Sequence, residues 1–568
     1  MDETSPPESS KATTSTQKQP PPEPVDAIRT RQLVIFSFWA IILFLGLPTW
    51  WKTTSIYRAQ LPLQLMEEWA DGKQCKPTFP LRIAVEATPG PASVSAPPMA
   101  PRILQHLIKN TQHALDDLND FPIHHIRLLT SELSTTTSSE SIDPESEIMI
   151  PIPDDIALLM RLIPIGNGQP PSAKLHTYSP VLDVFYSSNM IPTEGSSFTS
   201  PLAMFIAKEL QSIFTEEQAT IAHALSMTSW GAPNKNRPEL AESLTKRSTR
   251  SFKYAPAYYI TFSLFTPTSV PFDWDIEGAL EKHITPLLSS LSSISNFTTD
   301  SQVQLYAGFT PSIKPEYDAD KNSWSLSRDD LSGFINAAEW PLSPNMGAGP
   351  TINFILYVPA AHQSPLVVRH NEGGDPSNPD RSNSWLIPQW GGVQILNLHK
   401  SSAGVISYLT KDDLESSMRT FSTQLLSLLG LPNSPSSLPM RLSTLTRVHA
   451  ASLIYSASST IGALARLTRT LPSIAIPNQV ASSVDRSISH LSAACSSLSN
   501  GKFASALEEA RIAEQEAEKA FFERSMVAQV YFPDEHKAVM YVPLIGTIAV
   551  PLVTSAVREI RRWRKGGK

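Results

Sequence analysis

The sequence predicts an α/β protein, with a mixed sheet flanked by helices in a large lumenal domain. A helical hairpin follows this domain, and one transmembrane helix lies at each end. In the middle of the 568-residue chain, short apolar runs rich in β-branched and aromatic residues alternate with helical patterns. An uncharged apolar run long enough to cross a membrane lies near each terminus. These observations together predict the fold class.

The first apolar run extends from Leu33 to Trp51 and contains no charge. As a helix it would be roughly 28 Å long, close to the thickness of a bilayer core. A cleaved signal peptide is the alternative, but its apolar region would be shorter and would end in small residues. This run ends in Pro48, Thr49 and two tryptophans, so we expect an uncleaved anchor at 33–51. Trp50 and Trp51 are expected at the membrane interface, where indoles are enriched.

The second run extends from Ala538 to Val557 and would be roughly 30 Å long as a helix. Pro543 and Pro551 are costly inside a soluble helix but are tolerated in membrane spans, so we expect a span at 538–557 rather than a buried core helix. The tail at 558–568 is strongly basic, which predicts a cytosolic location by the positive-inside rule. Its basic residues are Arg558, Arg561, Arg562, Arg564, Lys565 and Lys568.

Both termini are expected in the cytosol. Arg29 and Arg31 precede the first span, and residues 1–28 form a polar, Pro- and Ser-rich segment that predicts a disordered cytosolic tail. The residues between the spans then lie in the lumen. Asn296-Phe297-Thr298 is the only N-x-S/T sequence with a permitted middle residue, and it predicts glycosylation of Asn296.

The lumenal part divides into an α/β domain at 52–435 and a helical segment at 436–531. Helical patterns in the α/β domain cover 107–118, 201–227, 274–291 and 413–429. The predicted strands begin at Leu81, Glu147, Ala157, Val181, Tyr258, Val303, Ile352 and Val393.

The helical segment predicts a hairpin broken at Asn500-Gly501. Its first helix has apolar residues at helical spacing from Val480 to Leu498, and Cys495 lies on that face. The chain has two cysteines, so a disulfide-dense fold is excluded. We favour a packed free thiol at Cys495, with a disulfide to Cys75 as the alternative.

The sequence motifs predict no catalytic residue, metal site or cofactor. The chain has no HExxH, GxSxG, GxGxxG, P-loop or CxxC motif, and the adjacent pair His124-His125 has a poor spacing for a metal. The net charge of -7 disfavours nucleic acid as a partner. The most distinctive local motif is Trp390-Gly391-Gly392. We expect a tight turn or bulge there, with close approach of a partner as the alternative.

Several longer segments resemble the PIG-S family of the glycosylphosphatidylinositol (GPI) transamidase. They occur in matching order along nearly the whole chain, and the Ser- and Pro-rich loops suggest a fungal-type member. The segments are GLPTWWKTTSIYRAQLP (46–62), FDWDIEGAL (272–280), SNFTTDSQ (295–302), INFILYVPAAHQSPL (352–366), PQWGGVQILN (388–397) and YFPDEHKAVMYVPLIGTIAVPL (531–552).

This resemblance implies a non-catalytic structural subunit in the endoplasmic reticulum membrane. The complex joins a new carboxyl end of a precursor protein to the ethanolamine amine of GPI, and this subunit supports formation of the carbonyl intermediate. The implied partners are the caspase-like catalytic subunit, PIG-T-like, PIG-U-like and aminopeptidase-like multi-spanning subunits, and membrane lipids. The resemblance also implies a glycan on Asn296 and anionic lipid headgroups near Arg29 and Arg31. A membrane-tethered lumenal hydrolase with an unrecognised site is the alternative function.

Overall fold

The computed structural model divides into two compact units. One, here the terminal unit, comprises Met1–Gln60, Thr468–Ala481 and Phe522–Lys568, and the other, the central unit, comprises Leu61–Leu467 and Ser482–Phe521. The structure describes residues 24–54, 57–90, 97–119, 121, 123–131, 156–166, 168–191, 200–226, 238–308, 313, 315–319, 322–327, 331, 349–369, 383–398, 407–471, 474–524, 526 and 534–566.

The terminal unit contains the apolar helices near both chain ends. The first run is helical as α1 (Val25–Ile41), a π-helical turn (Ile42–Gly46) and α2 (Leu47–Thr54). Among the described residues, the helical stretch Val25–Lys52 is the one that is long and apolar enough to cross a membrane. The second run lies within one continuous helix, Asp534–Gly566, although its role as a second span stays a prediction.

The segment after the first helix is held by hydrogen bonds within the terminal unit. The Ala59 amide donates to the Ile476 carbonyl at 2.8 Å, and the Ile476 amide donates to the Tyr57 carbonyl at 3.1 Å. The Tyr57 hydroxyl reaches Asn478 Oδ1 at 2.7 Å, and Arg58 Nη2 donates to the Thr468 carbonyl at 2.8 Å. The chain at 57–59 is therefore fixed to the segment 468–478 by main-chain and side-chain contacts.

Among the described residues, strands in the central unit form two five-stranded sheets, one three-stranded sheet and one two-stranded pair. The strands are β1 (Phe79–Ala87), β2 (His124–Thr130), β3 (Leu158–Ile165), β4 (Ser172–Leu175), β5 (Val181–Ser187), β6 (Ala257–Thr266), β7 (Asp273–Trp274), β8 (Asn296–Leu305), β9 (Glu316–Asp318), β10 (Ser323–Leu326), β11 (Thr351–Tyr357), β12 (Leu366–Val368), β13 (Ser384–Ile387), β14 (Gly391–Ile395) and β15 (Tyr408–Leu409). The three-stranded sheet has the order β12-β10-β9, and the two-stranded pair is β15-β7.

Each large sheet has one antiparallel edge strand on an otherwise parallel frame. The first sheet has the order β2-β1-β3-β5-β4, with β4 antiparallel, and the second has the order β13-β14-β11-β6-β8, with β13 antiparallel. Inner strands such as β5 and β6 are buried along nearly their whole length, because both faces of these sheets are covered. One face of the second sheet packs against the three-stranded sheet, where Leu326 and Leu366 share a core with Ile355. The predicted combination of mixed sheet and flanking helices is confirmed. The prediction of a single sheet was wrong, because the strands form more than one sheet.

The two five-stranded sheets could not be distinguished in the sequence, because a strand pattern does not identify the strand's partner. Six of the predicted strand positions fall within strands β1, β5, β6, β8, β11 and β14, and Ala157 lies one residue before β3. Glu147 lies outside the described residues. The pattern missed most of β8 and the whole of β2, β4, β7, β9, β10, β12, β13 and β15. The exposed edge strand β8 is rich in polar residues and lacks the apolar alternation on which strand prediction depends.

The helical patterns at 201–227 and 413–429 are confirmed within two residues, the pattern at 107–118 misses the first six residues of its helix, and 274–291 is two short helices. The helices Leu63–Ala70 and Pro238–Arg250 were not predicted. The hairpin is also confirmed. The helices of the central unit and its boundaries are α3 (Leu63–Ala70), α4 (Pro101–Leu118), α5 (Pro201–Ser226), α6 (Pro238–Arg250), α7 (Ile276–His283), α8 (Thr285–Leu291), α9 (Glu415–Leu428), α10 (Leu438–Thr470), α11 (Asn478–Ser499) and α12 (Phe503–Phe521), and the helix Asp534–Gly566 is α13.

Gly501 makes the turn of the hairpin, with a φ of 78° in the left-handed region that favours glycine. Polar contacts then join the two helices. His490 Nδ1 lies 2.6 Å from Glu509 Oε2, and Arg486 Nη2 lies 3.0 Å from Glu516 Oε2. Two of the glutamates on α12 thus serve in pairing α12 with α11.

A disulfide joins Cys75 to Cys495, with their Cα atoms 6.1 Å apart. The expectation of a packed free thiol was therefore wrong. The apolar stripe placed Cys495 on the packed face of its helix, but periodicity says nothing about which residue lies opposite. Packing brings Cys75, which is 1% exposed and follows α3, to that face. The bond links two parts of the central unit that are 420 residues apart in sequence.

Replacing either cysteine with serine is expected to lower the free energy of unfolding by about 2–4 kcal/mol, because the cross-link restricts a long loop of the unfolded chain. Thermal unfolding of the full-length protein in mild detergent measures this change. The variant carrying both Cys75→Ser and Cys495→Ser is the control, and it should lose no more than either single variant. Maleimide labelling of two thiols in the denatured, unreduced wild type would contradict the disulfide.

Candidate functional site

Trp50 and Trp51 lie in α2, near the end of the first apolar helix. They are 48% and 68% exposed, and Phe36 in the same apolar stretch is 76% exposed. Large apolar side chains exposed along a whole helix indicate a surface that meets something other than water. The placement of the indoles fits the predicted membrane interface, which stays a prediction.

Arg31 contacts a carboxylate of its own chain. Its Nε donates to Glu559 Oε2 at 3.1 Å and its Nη2 donates to Oε1 at 3.4 Å, while Gln32 Nε2 donates to Oε1 at 3.1 Å. These contacts join α1 to α13 within the terminal unit. Arg29 is exposed. The contact of Arg29 and Arg31 with lipid headgroups stays a prediction. In that contact the Arg31 guanidinium would interact with a headgroup and with the Glu559 carboxylate at the same time.

Asn296 is exposed at the first position of β8, an edge strand of the second sheet. Its amide donates to the Pro256 carbonyl at 2.9 Å, so the main chain at the sequon is fixed. The side chain is accessible to a modifying enzyme, as a glycosylation site requires. Glycosylation itself stays a prediction.

Trp390, Gly391 and Gly392 lie where β14 begins beside β11. A Cβ on Gly391 would overlap the main chain of Asn353, and a Cβ on Gly392 would overlap the Gln424 amide. Both glycines are buried, so the close approach that they permit is to this chain itself. Trp390 is half-buried and packs on the core of the second sheet. The expected structural role of the glycines is thus explained, and a partner contact at Trp390 stays a prediction.

The most enclosed polar cluster in the central unit centres on Glu217 and Arg447, each only 2% exposed. Arg447 Nε donates to Glu217 Oε1 at 2.6 Å, and its Nη2 donates to Oε2 at 2.7 Å. The Thr444 hydroxyl adds a bond of 2.8 Å to Oε2, and the fully buried His124 places Nε2 3.4 Å from Oε1. This two-bond geometry is the strong form of an arginine–carboxylate pair.

The pKa of Glu217 reflects these neighbours. Burial by itself would raise it, but the Arg447 guanidinium and the contact with His124 outweigh burial, and the pKa is lowered. A carboxylate whose folded-state pKa is lowered stabilises the protein above the ordinary glutamate value of about 4.3. That contribution is lost as the pH falls below this value towards the folded-state pKa.

Arg447 also connects the ion pair to the hairpin. Its guanidinium lies 5.1 Å from the ring centroid of Phe503, the first residue of α12, in a cation–π arrangement. The Phe503 ring stacks on Phe79 at the start of β1, with 6.5 Å between centroids. One charged side chain on α10 thus contacts α5, α12 and, through Phe503, the first sheet.

The neighbouring carboxylate, Glu216, holds a second set of contacts. Arg247 Nη1 on α6 lies 2.6 Å from Glu216 Oε1. The amides of Asn433 and Ser434 donate to the two Glu216 oxygens at 3.1 Å and 2.6 Å. Adjacent glutamates on α5 therefore bind α6, α10 and the segment that leads into α10.

Sequence reasoning missed this cluster, although one signal was present. Glu217 falls at helical spacing among apolar residues, between Phe214 and Ile221, and a charge on an apolar face requires a buried partner. Arg447 lies on the apolar face of α10 in the same way. The pairing could not be read from the sequence, because 230 positions separate the two residues.

Two further histidines contact carboxylates. His176 Nε2 lies 2.8 Å from Asp183 Oδ2, and Asp183 is also held by Arg161 at 2.7 Å. His490 and Glu509 belong to the hairpin contact described above. In the described part of the chain, no group of three or more His, Cys, Asp or Glu side chains could hold a metal ion.

A cavity of about 500 Å³ opens between α5, α6, the end of α9 and α10. Its walls are mainly apolar, with Leu225, Phe252 and Leu445 among them. His449 also lines it, and burial followed by the nearby Arg511 charge lowers the pKa of this histidine to about 4. The histidine is therefore neutral near pH 7.

Comparison with known proteins places these features in a family. The family model "Phosphatidylinositol-glycan biosynthesis class S protein" (PIG-S) matches residues 37–566. A Bos taurus protein named "GPI-anchor transamidase component PIGS" is 28% identical, with 96% of this chain and 97% of that protein aligned. The Schizosaccharomyces pombe "GPI transamidase component PIG-S homolog" is 27% identical, over 94% and 84%. The Saccharomyces cerevisiae "GPI transamidase component GPI17" is 25% identical, over 91% and 90%.

Breaking the buried ion pair from either side is expected to lower the free energy of unfolding by about 3–5 kcal/mol, because the remaining partner is left without its counterpart. Thermal unfolding of Glu217→Gln, Arg447→Met and the double variant forms a double-mutant cycle, in which the double variant should lose clearly less than the sum. Glu242→Gln is the matched control, since Glu242 and Lys246 form a pair that is 69% exposed on both sides. Strictly additive losses would show that the pair is not coupled.

Proposed function

Since the chain belongs to the PIG-S family, we propose that it is a non-catalytic structural subunit of the GPI transamidase, the complex that attaches GPI anchors to the C-terminus of precursor proteins. The end-to-end match carries this proposal. The family model spans residues 37–566, and the Bos taurus relative, named as a component of the transamidase, aligns over 96% of this chain. The matched region includes most of the first apolar run, the helix Asp534–Gly566 and both five-stranded sheets.

The organisation of the central unit supports a structural role. Its Glu217–Arg447 pair is buried, and every contact described around it joins one element of the fold to another. The disulfide does the same over a long stretch of sequence. Such contacts hold surfaces in a fixed arrangement, as a subunit that supports formation of the carbonyl intermediate requires. The catalytic Cys/His pair then belongs to a caspase-like partner subunit, alongside PIG-T-like, PIG-U-like and aminopeptidase-like subunits.

We place the protein in the endoplasmic reticulum membrane with two spans, both termini in the cytosol and the sheets in the lumen. The pairing of Arg31 with Glu559 supports this topology, because the start of the first helix and the basic end of α13 must then lie on the same side of the bilayer. The exposure of Asn296 in the second sheet supports a lumenal location for that sheet.

Tagged full-length protein purified in mild detergent is expected to bring down a caspase-like cysteine protease and multi-spanning subunits in near-stoichiometric amounts. Mass spectrometry of the purified material is the measurement. A stable monomer without partners would contradict the proposed role and would revive the lumenal hydrolase alternative, which a broad serine-hydrolase probe would then test.

In sealed microsomes, protease is expected to remove tags from both termini while leaving the region between the two spans intact. Endoglycosidase is expected to increase the gel mobility of the wild type, and Asn296→Gln should show the same mobility with or without the enzyme. Asn189→Gln is the matched control, since Asn189 is another exposed asparagine of the central unit and lies outside any sequon. A terminal tag that resists protease until detergent is added would contradict the two-span topology.

A further inference from the structure

Exposed apolar side chains gather at one edge of the second sheet. Phe272 is 55% exposed, Tyr306 is 74% exposed, Tyr408 is 44% exposed and Leu305 is 38% exposed. These four residues are here called the aromatic patch. Single exposed apolar residues are common on protein surfaces, but several at one place mark a binding surface.

Main-chain hydrogen bonds bring the patch together from three separate segments. The Tyr306 amide, just after β8, donates to the Thr268 carbonyl at 3.3 Å, in the loop that connects β6 to β7. At the other end of that loop, the Phe272 amide donates to the Ser407 carbonyl at 3.0 Å. Tyr408 then pairs with β7 in a parallel register. The loop between β6 and β7 therefore contacts both the segment that follows β8 and the segment that contains Tyr408.

The loop that carries Phe272 is internally fixed. The hydroxyls of Thr266 and Thr268 donate to the Val270 carbonyl, at 3.0 Å and 2.7 Å. Tyr306 has a φ of 60°, in the left-handed region that is unfavourable for residues other than glycine. Such conformations persist where surrounding contacts enforce them, and they cluster at functional positions. A surface that is already ordered loses little entropy on binding.

Two carboxylates, Asp273 and Asp275, lie beside Tyr408 in the patch. Asp273 is exposed and lies opposite Tyr408 in the strand pair, and the Asp275 amide donates to the Leu409 carbonyl at 2.9 Å. Loss of water, followed by the charges of Asp275 and Asp273, raises the pKa of the Tyr408 hydroxyl. Aromatic faces beside carboxylates attract cationic side chains, through cation–π contacts and ion pairs.

The position of the patch in the sheet also favours binding. The parallel strands β6, β8 and β11 all end at this edge, and open α/β sheets bind their ligands outside the carboxyl ends of their strands. Asn296 begins β8 and Leu305 ends it, so a glycan would lie roughly 30 Å from the patch. The predicted partner residue Trp390 lies just before β14, at the opposite, amino-end edge.

We propose that the aromatic patch is the docking surface for a segment of another transamidase subunit, one that presents arginine or lysine between apolar residues. The carboxylates disfavour an anionic membrane surface as the occupant. This inference rests on the proposed function and deepens it by naming the surface used. It moves the expected interface from Trp390 to the opposite edge of the second sheet.

The test compares full-length Phe272→Ser/Tyr306→Asn with the wild type in the same mild-detergent purification. Asparagine tolerates the left-handed conformation at 306, so the fold should persist. The variant is expected to lose at least one transamidase subunit by about tenfold or more, as at interfaces dominated by a few aromatic residues. Tyr178→Ser is the matched control, since Tyr178 is 66% exposed and lies outside the patch, between β4 and β5.

A second variant and a cross-link identify the occupant. Asp273→Lys is expected to lose the same subunit while keeping the aromatic rings. A photoreactive phenylalanine analogue at Phe272 is expected to cross-link to that subunit, at a peptide containing arginine or lysine. Cross-linking to lipid alone would overturn the proposal in favour of a membrane contact.

The outcomes separate this inference from the proposed function. If the wild type brings down the transamidase subunits and the patch variants retain all of them, the inference fails and the proposed function stands. If the wild type itself purifies without partners, both fail. Loss of partners from the Tyr178→Ser control to the same extent would also overturn the inference, because the effect would not belong to the patch.

Discussion

The buried pair of Glu217 and Arg447 is the interaction on which the arrangement of the central unit most depends. Two charges removed from water are tolerated only when each has the other in hydrogen-bonding geometry, and here the two-bond contact is supplemented by Thr444 and His124. This requirement fixes α5 against α10 at one register. Because Phe503 lies on the Arg447 guanidinium, the same requirement extends to α12.

The disulfide adds a covalent constraint of the same kind. Cys75 follows α3 and Cys495 lies on α11, so the bond joins the beginning of the α/β region to the helical hairpin. Glu216 contributes polar contacts to α6 and to the segment that precedes α10. Together these contacts hold the first sheet, the long helix and the hairpin in one arrangement, which suits a subunit whose task is to present surfaces to other subunits.

The two edges of the second sheet differ in what they offer. At the amino-end edge, Gly391 and Gly392 are committed to internal packing and Asn296 presents a sequon. At the carboxyl-end edge, three segments joined by main-chain hydrogen bonds present Phe272, Tyr306 and Tyr408, with two carboxylates beside Tyr408. A glycan and a protein partner would therefore occupy opposite edges, and neither would block the other.

The sequence by itself determined the apolar helix near the N-terminus, the α/β class, and the positions of most helices and of seven strands, and its longer segments indicated the family. The helix, the class and the element positions follow from local spacing or from an uninterrupted run of residues, such as Leu33 to Trp51. The family follows from the resemblance of longer segments, such as 388–397. Only the tertiary structure decided that the strands form more than one sheet, that Cys495 bonds to Cys75, and that Glu217 meets Arg447. These are pairings between residues or strands that can be far apart in the chain. Periodicity shows which face of an element is buried, but the partner on the other side is selected by the packing of the whole chain.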